Sequence, residues 1–255
     1  MKYVLGIDFG GGASKATLLD KTGKVIATAN SEYPTIYGES GKAEQNPHDW
    51  FDVACKNIKT ILNFGIKAED IDCICFDAAT HTAVLMDENF NVLQNSIYWT
   101  DTRSIPQKQY LFDKYGKDIF NKFKHNVDTI WTLPQLLWVK ENQHEVFNKV
   151  KRIMFAKDYV RHRFTGDFYT DYIEAEGSML FDYDKREWSK EYIELLELKK
   201  EYFPTVIKPT NIAGKITKNA ASITGLSEGT PVICGTTDTA VEVFASGAIN
   251  KGQIT

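Results

Sequence analysis

The sequence predicts a mixed α/β domain, and three observations point to this class. A short apolar run at residues 4–7 ends on a carboxylate and leads through a glycine turn into a second β-prone run. After Asn46-Pro47, apolar residues recur at helical spacing. Another β-prone segment, residues 71–77, follows that helix. Strands interrupted by a helix in this way predict a central sheet covered by helices.

Residues 3–19 are predicted to form a strand, a glycine turn and a second strand. Glycines let backbone N–H groups approach a phosphate closely, and Ser14 or Lys15 would add donors. Asp8, at the end of the first strand, could hold a metal ion or the water around it. The candidate cofactor-binding residues are therefore Asp8, Gly10, Gly11, Gly12, Ser14 and Lys15, with Asp8 as the candidate metal ligand.

The residues after the glycines decide the type of loop. A dinucleotide-binding fingerprint requires a helix and a third glycine near position 15, which is Lys15 here. Instead, residues 15–19 alternate as in a strand, and a turn leads to a third strand at residues 25–31. The pattern predicts a β-hairpin cradle, as in actin-like and sugar-kinase ATPases; a tight hairpin without a ligand is the alternative.

The next elements follow in order. Asn46 and Pro47 predict a helix start, and Gly65 predicts its end. Residues 71–77 form a strand that Thr80-His81 interrupts and residues 83–86 resume. Three strands, a helix and a further strand are the first half of a ribonuclease-H-like (actin-like ATPase) unit.

Helical patterns dominate from Thr102 onward, and strand character returns at residues 230–234, before a short helix at 239–245. This predicts a single lobe with a core at 1–100 and 228–255 and an inserted helical layer at about 101–227. The other predicted helices cover residues 103–115, 131–141, 157–164 and 189–196.

Composition narrows the class of protein. The chain has 255 residues, a net charge of −4 and four cysteines without paired metal-ligand spacing. The charge argues against a nucleic-acid binder, and the cysteines suit a reducing cytoplasm. No apolar stretch approaches the ~18 residues of a membrane span, and the apolar start is too short for a signal peptide. We therefore expect a cytoplasmic protein without nucleic-acid or membrane partners.

Asp238 is the candidate catalytic residue, because it follows a hydrophobic strand and begins a helix. A carboxylate there can be a plain N-cap. It can also be a general base at the edge where open α/β sheets place ligands. Asp8 also ends a strand, so one site could hold both acids.

Two further segments are candidate sugar contacts. Thr80-His81 interrupts a strand at a similar edge, next to small residues that leave room for a substrate. Trp99, Asp101 and Arg103 combine an aromatic ring with two charges, which suits a sugar. The structural alternatives are a hydrogen-bonding histidine and a buried tryptophan beside a surface ion pair. Three other histidines have no matching spacing and are expected to face solvent: His125, His144 and His162.

Together these residues resemble the FGGY family of carbohydrate kinases, especially its xylulose kinase branch. The resemblance runs the whole length of the chain and rests on five motifs in the family's order. They are Asp8 to Lys15, Thr80-His81, Trp99 to Arg103, Lys157-Asp158-Tyr159 through Thr165-Gly166, and Gly235 to Asp238.

The resemblance implies ATP-dependent phosphorylation of a small sugar, a ketopentose such as xylulose, with Mg²⁺. Asp238 would be the base, Asp8 would lie near Mg²⁺, and the glycine turn with Ser14 and Lys15 would face the phosphates. The residues implied to line the sugar site are Thr80, His81, Trp99, Asp101, Arg103 and Thr239.

Members of this family have two lobes, and this chain looks like the N-terminal lobe alone, with residues 249–255 running toward an absent C-terminal lobe. The isolated chain is expected to be inactive, and a homodimer is the assembly that the resemblance allows. The sequence departs from the family pattern at Gly11, Thr80, Gln135, Thr236 and Thr237. These departures bear on which sugar the protein uses. Two alternatives stay open: a non-catalytic sugar-sensing relative, and an actin- or Hsp70-like ATPase lobe.

Overall fold

A computed structural model describes residues 2–248, 250, 252 and 253. The expected run toward a second lobe, residues 249–255, therefore lies mostly outside the described residues. The strands of the described part are β1 (Tyr3–Phe9), β2 (Ala13–Asp20), β3 (Val25–Glu32), β4 (Ile36–Tyr37), β5 (Ala43–Gln45), β6 (Ile71–Ala78), β7 (Ala83–Met86), β8 (Ser96–Ile97), β9 (Arg152–Phe155), β10 (Tyr169–Asp171), β11 (Phe181–Asp182), β12 (Glu187–Trp188), β13 (Thr205–Ile207), β14 (Ile212–Lys215) and β15 (Pro231–Ile233).

The central sheet has the strand order β14-β15-β6-β1-β2-β3. β1, β2 and β3 form an antiparallel meander, as the alternating pattern after the glycines predicts. β6 and β15 run parallel to β1, so their carboxyl ends meet at one edge. Asp8 pairs in register with Asp77 at that edge, and a bridge joins Ala78 to Thr237 just after β15.

The helices begin and end where local chemistry allows. α1 starts as predicted, because the Asn46 side chain accepts a hydrogen bond from the His48 N–H and Pro47 occupies the first turn. In the described residues, none of the helices is long and apolar enough to cross a membrane. They are α1 (Pro47–Leu62), α2 (Ile105–Phe123), α3 (Thr132–Asn142), α4 (His144–Phe147), α5 (Ala156–Thr165), α6 (Tyr172–Gly177), α7 (Lys190–Leu195), α8 (Lys218–Thr224) and α9 (Asp238–Ala245).

Two large apolar clusters stabilise the fold. One lies between the central sheet and α1, α5 and α8, with Trp50, Phe76 and Phe164 buried within it. The other packs α2 and α3 against β7 and β9. α2 continues to Phe123 instead of stopping at residue 115, because Leu111, Ile119 and Phe123 extend its buried face.

The boundaries predicted for the inserted layer need correction. β14 lies at 212–215, inside the predicted insert of 101–227, yet it is an edge strand of the central sheet. α5 and α8 lie in the same range and pack on the core. Short pairs such as β7–β9 and β11–β12 also give this range strand content. Sequence periodicity does not reveal which sheet a short strand joins, because pairing is a long-range contact.

Candidate active site

The carboxyl ends of β1 and β6 place two acids side by side. Asp8 and Asp77 occupy paired positions, and their carboxyl groups lie within hydrogen-bonding reach of each other. Burial, the hydrogen bond with Asp8 and the charge of Asp8 raise the pKa of Asp77 to about 8. Burial also raises the pKa of Asp8. Two crowded acids share a proton in this way unless a cation relieves the repulsion.

Asp238 approaches this pair from α9. Its negative charge, with that of Glu242 one turn later, contributes to the raised pKa values of Asp8 and Asp77. The acids of the first and last core strands therefore converge at one sheet edge, as the sequence predicts. The N-cap alternative is wrong in detail, because Thr237 is the cap and its hydroxyl accepts from the Ala240 N–H at 3.4 Å.

The Asp238 carboxylate is free to act on a ligand. It is partly exposed and is the first residue of α9. Its Oδ1 accepts the Thr239 N–H at 2.6 Å and the Thr239 hydroxyl at 3.2 Å. Its Oδ2 accepts no hydrogen bond from the described residues, which leaves one carboxylate oxygen available to a substrate.

The glycine turn presents backbone donors. The carbonyls of Gly10 and Gly12 accept from the Tyr33 hydroxyl at 2.6 Å and the Tyr33 N–H at 3.0 Å. The Gly11 carbonyl accepts from Thr35 and Gln45. Within the part of the chain that the structure describes, the N–H groups of Gly11 and Gly12 have no acceptor. The carbonyls are thus held by the protein while two donors stay free, the arrangement that binds an anion.

Lys15 and Ser14 differ in their exposure. Lys15 is exposed and pairs in register with Asp8, and its positive charge lowers the pKa of that carboxyl. The Ser14 side chain is fully buried, its Oγ makes no hydrogen bond, and its carbonyl accepts from Asn57. The prediction that the Ser14 hydroxyl faces the phosphates is therefore wrong, because strand alternation turns that side chain into the core.

A cleft of about 640 Å³ opens beside Asp238. Three predicted sugar contacts line it: Thr80, His81 and Thr239. His125 also lines it, with its ring tilted against Trp131 at 4.7 Å between centroids, so the expectation that His125 simply faces solvent is wrong. The remaining lining residues are Ile130, Trp131, Ile173, Glu176, Gly177, Thr237, Ala240 and Val243.

The other predicted sugar contacts lie elsewhere. Asp101 is buried and accepts the Ala43 N–H at 2.8 Å, and Arg103 bridges Asp101 and Glu44. These groups tie β5 to the start of α2, so assigning Asp101 and Arg103 to the cleft wall is wrong. Trp99 is 46% exposed and packs on Tyr98, and it is not among the residues that line this cleft.

Several residues at the site were not predicted from the sequence. Asp77 ends its strand as Asp8 does, and that parallel was a usable signal. Tyr98 lies next to Gly11, where an added Cβ would meet its hydroxyl at 3.2 Å. Burial and the charge of Asp238 raise the pKa of Tyr98. Glu174, which contacts His81, is far away in sequence and gave no signal.

The acidic edge fits a hydrated cation. Asp8, Asp77 and Asp238 supply carboxylate oxygens, the donors that Mg²⁺ prefers, and their crowding is what a cation would relieve. Among the described residues, no group of three or more His, Cys, Asp or Glu side chains could hold a metal directly. A Mg²⁺ ion that keeps most of its waters and binds substrate phosphates needs no such cage.

Comparison with known proteins is consistent with this geometry. The family model described as "FGGY family of carbohydrate kinases, N-terminal domain" matches residues 3–245. The chain is 35% identical over 254 residues to a xylulose kinase of Bacillus subtilis (strain 168), covering 99% of this chain and 51% of that protein.

Solved structures of carbohydrate kinases have the same fold as this chain. A ligand-bound xylulose kinase from Lactobacillus acidophilus superposes with a TM-score of 0.92 at 28% identity, covering 98% of this chain and 51% of that one. A gluconate kinase from the same organism superposes with a TM-score of 0.89 at 28% identity, covering 94% of this chain and 49% of that one. The predicted ribonuclease-H-like, actin-like fold is confirmed.

The chain spans about half the length of these relatives. The match nevertheless covers almost all of the chain itself, and it includes the strands and helices that carry the acidic edge and the cleft. The chain belongs to the FGGY family of carbohydrate kinases and corresponds to the family's N-terminal domain.

Proposed function

We propose that the protein to which this chain belongs transfers a phosphoryl group from ATP to a small sugar, a ketopentose such as xylulose. This chain is then the sugar-binding lobe. The observation that carries the proposal is Asp238, whose carboxylate has one free oxygen beside a cleft and converges with Asp8 and Asp77.

In the proposed reaction, Asp238 accepts the proton of the sugar hydroxyl. The hydroxyl oxygen forms a bond to the γ-phosphorus while the bond from that phosphorus to the β-phosphate oxygen breaks, releasing ADP. Asp238 is the first residue of α9, and its free Oδ2 is the atom that would take the proton. Such transfer depends mainly on alignment and charge neutralisation.

The glycine turn and the acidic edge serve the nucleotide. The free N–H groups of Gly11 and Gly12, with the Lys15 ammonium, would donate to phosphate oxygens. Asp8 and Asp77 would hold the waters of Mg²⁺, which neutralises phosphate charge when bound. Thr80, His81 and Thr239 would bind the sugar hydroxyls from the cleft wall.

The test is a coupled ATP-consumption assay of the full-length protein across ketopentoses, hexuloses, polyols and gluconate. Gluconate belongs in the panel because a gluconate kinase structure has the same 28% identity to this chain as the ligand-bound xylulose kinase structure, with a TM-score of 0.89 against 0.92. ATP turnover with one ketopentose well above the others supports the proposal. A sugar-sensing relative would bind a sugar without consuming ATP, and an actin- or Hsp70-like lobe would hydrolyse ATP without needing a sugar.

A cytoplasmic location, a homodimeric assembly and the absence of nucleic-acid or membrane partners stay predictions. The assembly has a direct measurement, the mass of the full-length protein in solution. We place the dimer contacts outside the cleft, since the sugar must enter there.

A further inference from the structure

α6 contacts the sugar side of the cleft through His81. Glu174 is buried on α6, and its Oε1 accepts the His81 N–H at 2.6 Å. The ring atom Nδ1 lies 3.4 Å from the same oxygen, longer than an ordinary hydrogen bond, and has no hydrogen-bond partner among the described residues. At Gly177, an added Cβ would lie only 1.6 Å from His81 Cε1. The imidazole therefore lies directly against α6.

His81 needs this support, because its backbone has a φ of 62°. A residue other than glycine holds this conformation only where its surroundings fix it. The Glu174 carboxylate binds the N–H of His81, and the Thr132 hydroxyl donates to its carbonyl at 2.8 Å. Both backbone groups of His81 are thus held by side chains.

The other end of α6 contacts the loop that carries Asp238. Asp171 caps α6, and its Oδ1 accepts the Ile173 N–H and the Thr236 hydroxyl, each at 2.9 Å. Thr236 lies two residues before Asp238. This chain thus has a side-chain link from the base-bearing loop to α6.

A buried lysine contacts the Asp171 end of α6. The Lys157 ammonium lies 2.9 Å from Asp171 Oδ2 and 2.6 Å from Asp158 Oδ1, with no exposed side-chain surface on any of the three. Burial raises the pKa of Glu174, and the positive charge of Lys157 opposes part of that rise. A buried cluster of ion pairs resists movement, because separating its members leaves unpaired charges in the core.

We propose that Glu174 and Thr236 are positioning residues of the reaction above, and the inference rests on that proposed function. Glu174 holds His81 so that the proton stays on Nδ1, which leaves Nε2 to accept a hydrogen bond from a sugar hydroxyl. Thr236, through Asp171, holds the loop that aims Asp238. α6 thereby fixes the sugar contact and the base relative to each other.

Two near-isosteric variants of the full-length protein test the two roles separately. Glu174→Gln keeps the shape and an acceptor but removes the charge, so the sugar KM should rise about tenfold to hundredfold with kcat within about twofold. Thr236→Val removes only the hydroxyl, so kcat should fall about tenfold while the sugar KM stays within about twofold. Asp182→Asn is the matched control: it removes another buried carboxylate, one that accepts the Lys185 N–H at 3.0 Å and, in the described part of the chain, makes no hydrogen bond or ion pair with His81, Thr236 or the Lys157 cluster.

A spectroscopic measurement separates positioning from mere stability. With ¹⁵N-histidine labelling, the wild-type protein should give an Nδ1-protonated His81 and Glu174→Gln a mixture of tautomers. Unchanged tautomer and unchanged sugar KM in a folded Glu174→Gln protein would overturn the role of Glu174, and unchanged kcat in Thr236→Val would overturn that of Thr236.

Two other results remain: a Glu174→Gln protein that does not fold, and a wild-type protein without kinase activity. If Glu174→Gln does not fold, Gly177→Ala displaces the same ring without altering a charge, and an unchanged sugar KM there overturns the role of the α6 contact. If the wild-type protein phosphorylates no sugar, the proposed function fails, whereas the His81 spectrum still decides whether Glu174 sets its tautomer.

Discussion

At the scale of single residues, the site depends on carboxylates in three different environments. Asp238 is partly exposed with one free oxygen, Asp8 and Asp77 are crowded and have raised pKa values, and Glu174 is buried against His81. Identical chemical groups thus have different predicted tasks because burial and neighbouring charge differ.

The role of Asp238 has a direct test. Asp238→Asn in the full-length protein keeps the side-chain shape but cannot accept the proton, so turnover should fall by about 10³-fold. Sugar affinity, measured by calorimetry, should change little because the hydroxyl can still bond to the amide. Glu228→Gln, an exposed acid in the turn before β15, is the control. Retained turnover in Asp238→Asn removes Asp238 as the base.

Asp77 should make stability depend on pH. Its pKa is near 3.8 when the chain is unfolded and about 8 when folded, so the folded state binds the proton more tightly. Stability from this group is complete below the unfolded pKa and is lost as pH rises through the folded pKa. Without divalent cations, Tm should therefore fall between about pH 4 and pH 8, and Asp77→Asn should reduce that fall.

Asp52→Asn is the control variant for that experiment. Asp52 is exposed on α1, away from the acidic edge. A Tm of Asp77→Asn that varies with pH as strongly as the wild-type value would contradict the shared proton.

At the scale of elements, short loops are held by side chains from distant segments. Arg103 donates to Asp101 at 2.9 Å and to Glu44 at 2.8 Å, and its guanidinium lies 4.4 Å from the Trp138 ring centroid. The predicted sugar contacts at 101 and 103 therefore join β5, the β8–α2 connection and α3. Their chemistry is the one the sequence indicated, an acid beside a base, but it serves the scaffold.

Replacing Arg103 should affect stability more than binding. Arg103→Met keeps the aliphatic stem but leaves Asp101 and Glu44 without their partner, which should cost about 3 kcal/mol in urea unfolding. The sugar KM of the folded full-length variant should stay unchanged. Lys190→Met, which breaks the exposed pair with Glu194, should cost less than about 0.5 kcal/mol. A stable Arg103→Met protein with lost sugar affinity would return Arg103 to the sugar site.

The two glycines inside helices provide a second matched pair. At Gly177 an added Cβ would collide with the His81 ring, so Gly177→Ala should destabilise the chain by about 1–3 kcal/mol and raise the sugar KM. At Gly116 on α2 the nearest atom to an added Cβ is 3.5 Å away, so Gly116→Ala should stabilise by up to about 1 kcal/mol. Thermal unfolding of both variants checks the contrast, and equal effects would contradict the tight contact at α6.

At the scale of the whole molecule, this lobe carries the acidic edge, the glycine turn and one wall of the cleft. Transfer between two substrates needs water excluded and both reactants aligned. We therefore predict that the isolated 255-residue chain binds sugar weakly and turns over no ATP with any ketose in the coupled assay. Ketose-dependent turnover by the isolated chain would refute this, with the full-length protein as the positive control.

Local features allowed much of the fold to be predicted from sequence. The cap at Asn46, the alternation of β2 and the strand–acid endings identified α1, the hairpin and the acidic edge correctly. The sheet membership of β14 was missed, since only its pairing with β15 across the intervening α8 defines it. Ser14 was misplaced because its motif position suggested a phosphate contact while strand alternation buries it.

The sequence by itself determined the family, the α/β class and the two acids that meet at the sheet edge, because motifs and strand ends are local. Only the tertiary structure decided that Asp77 joins those acids, that Arg103 supports the scaffold, and that Glu174 holds His81 from 93 residues away. These roles depend on contacts between distant segments, and such contacts exist only after the sheet and its helices have packed together.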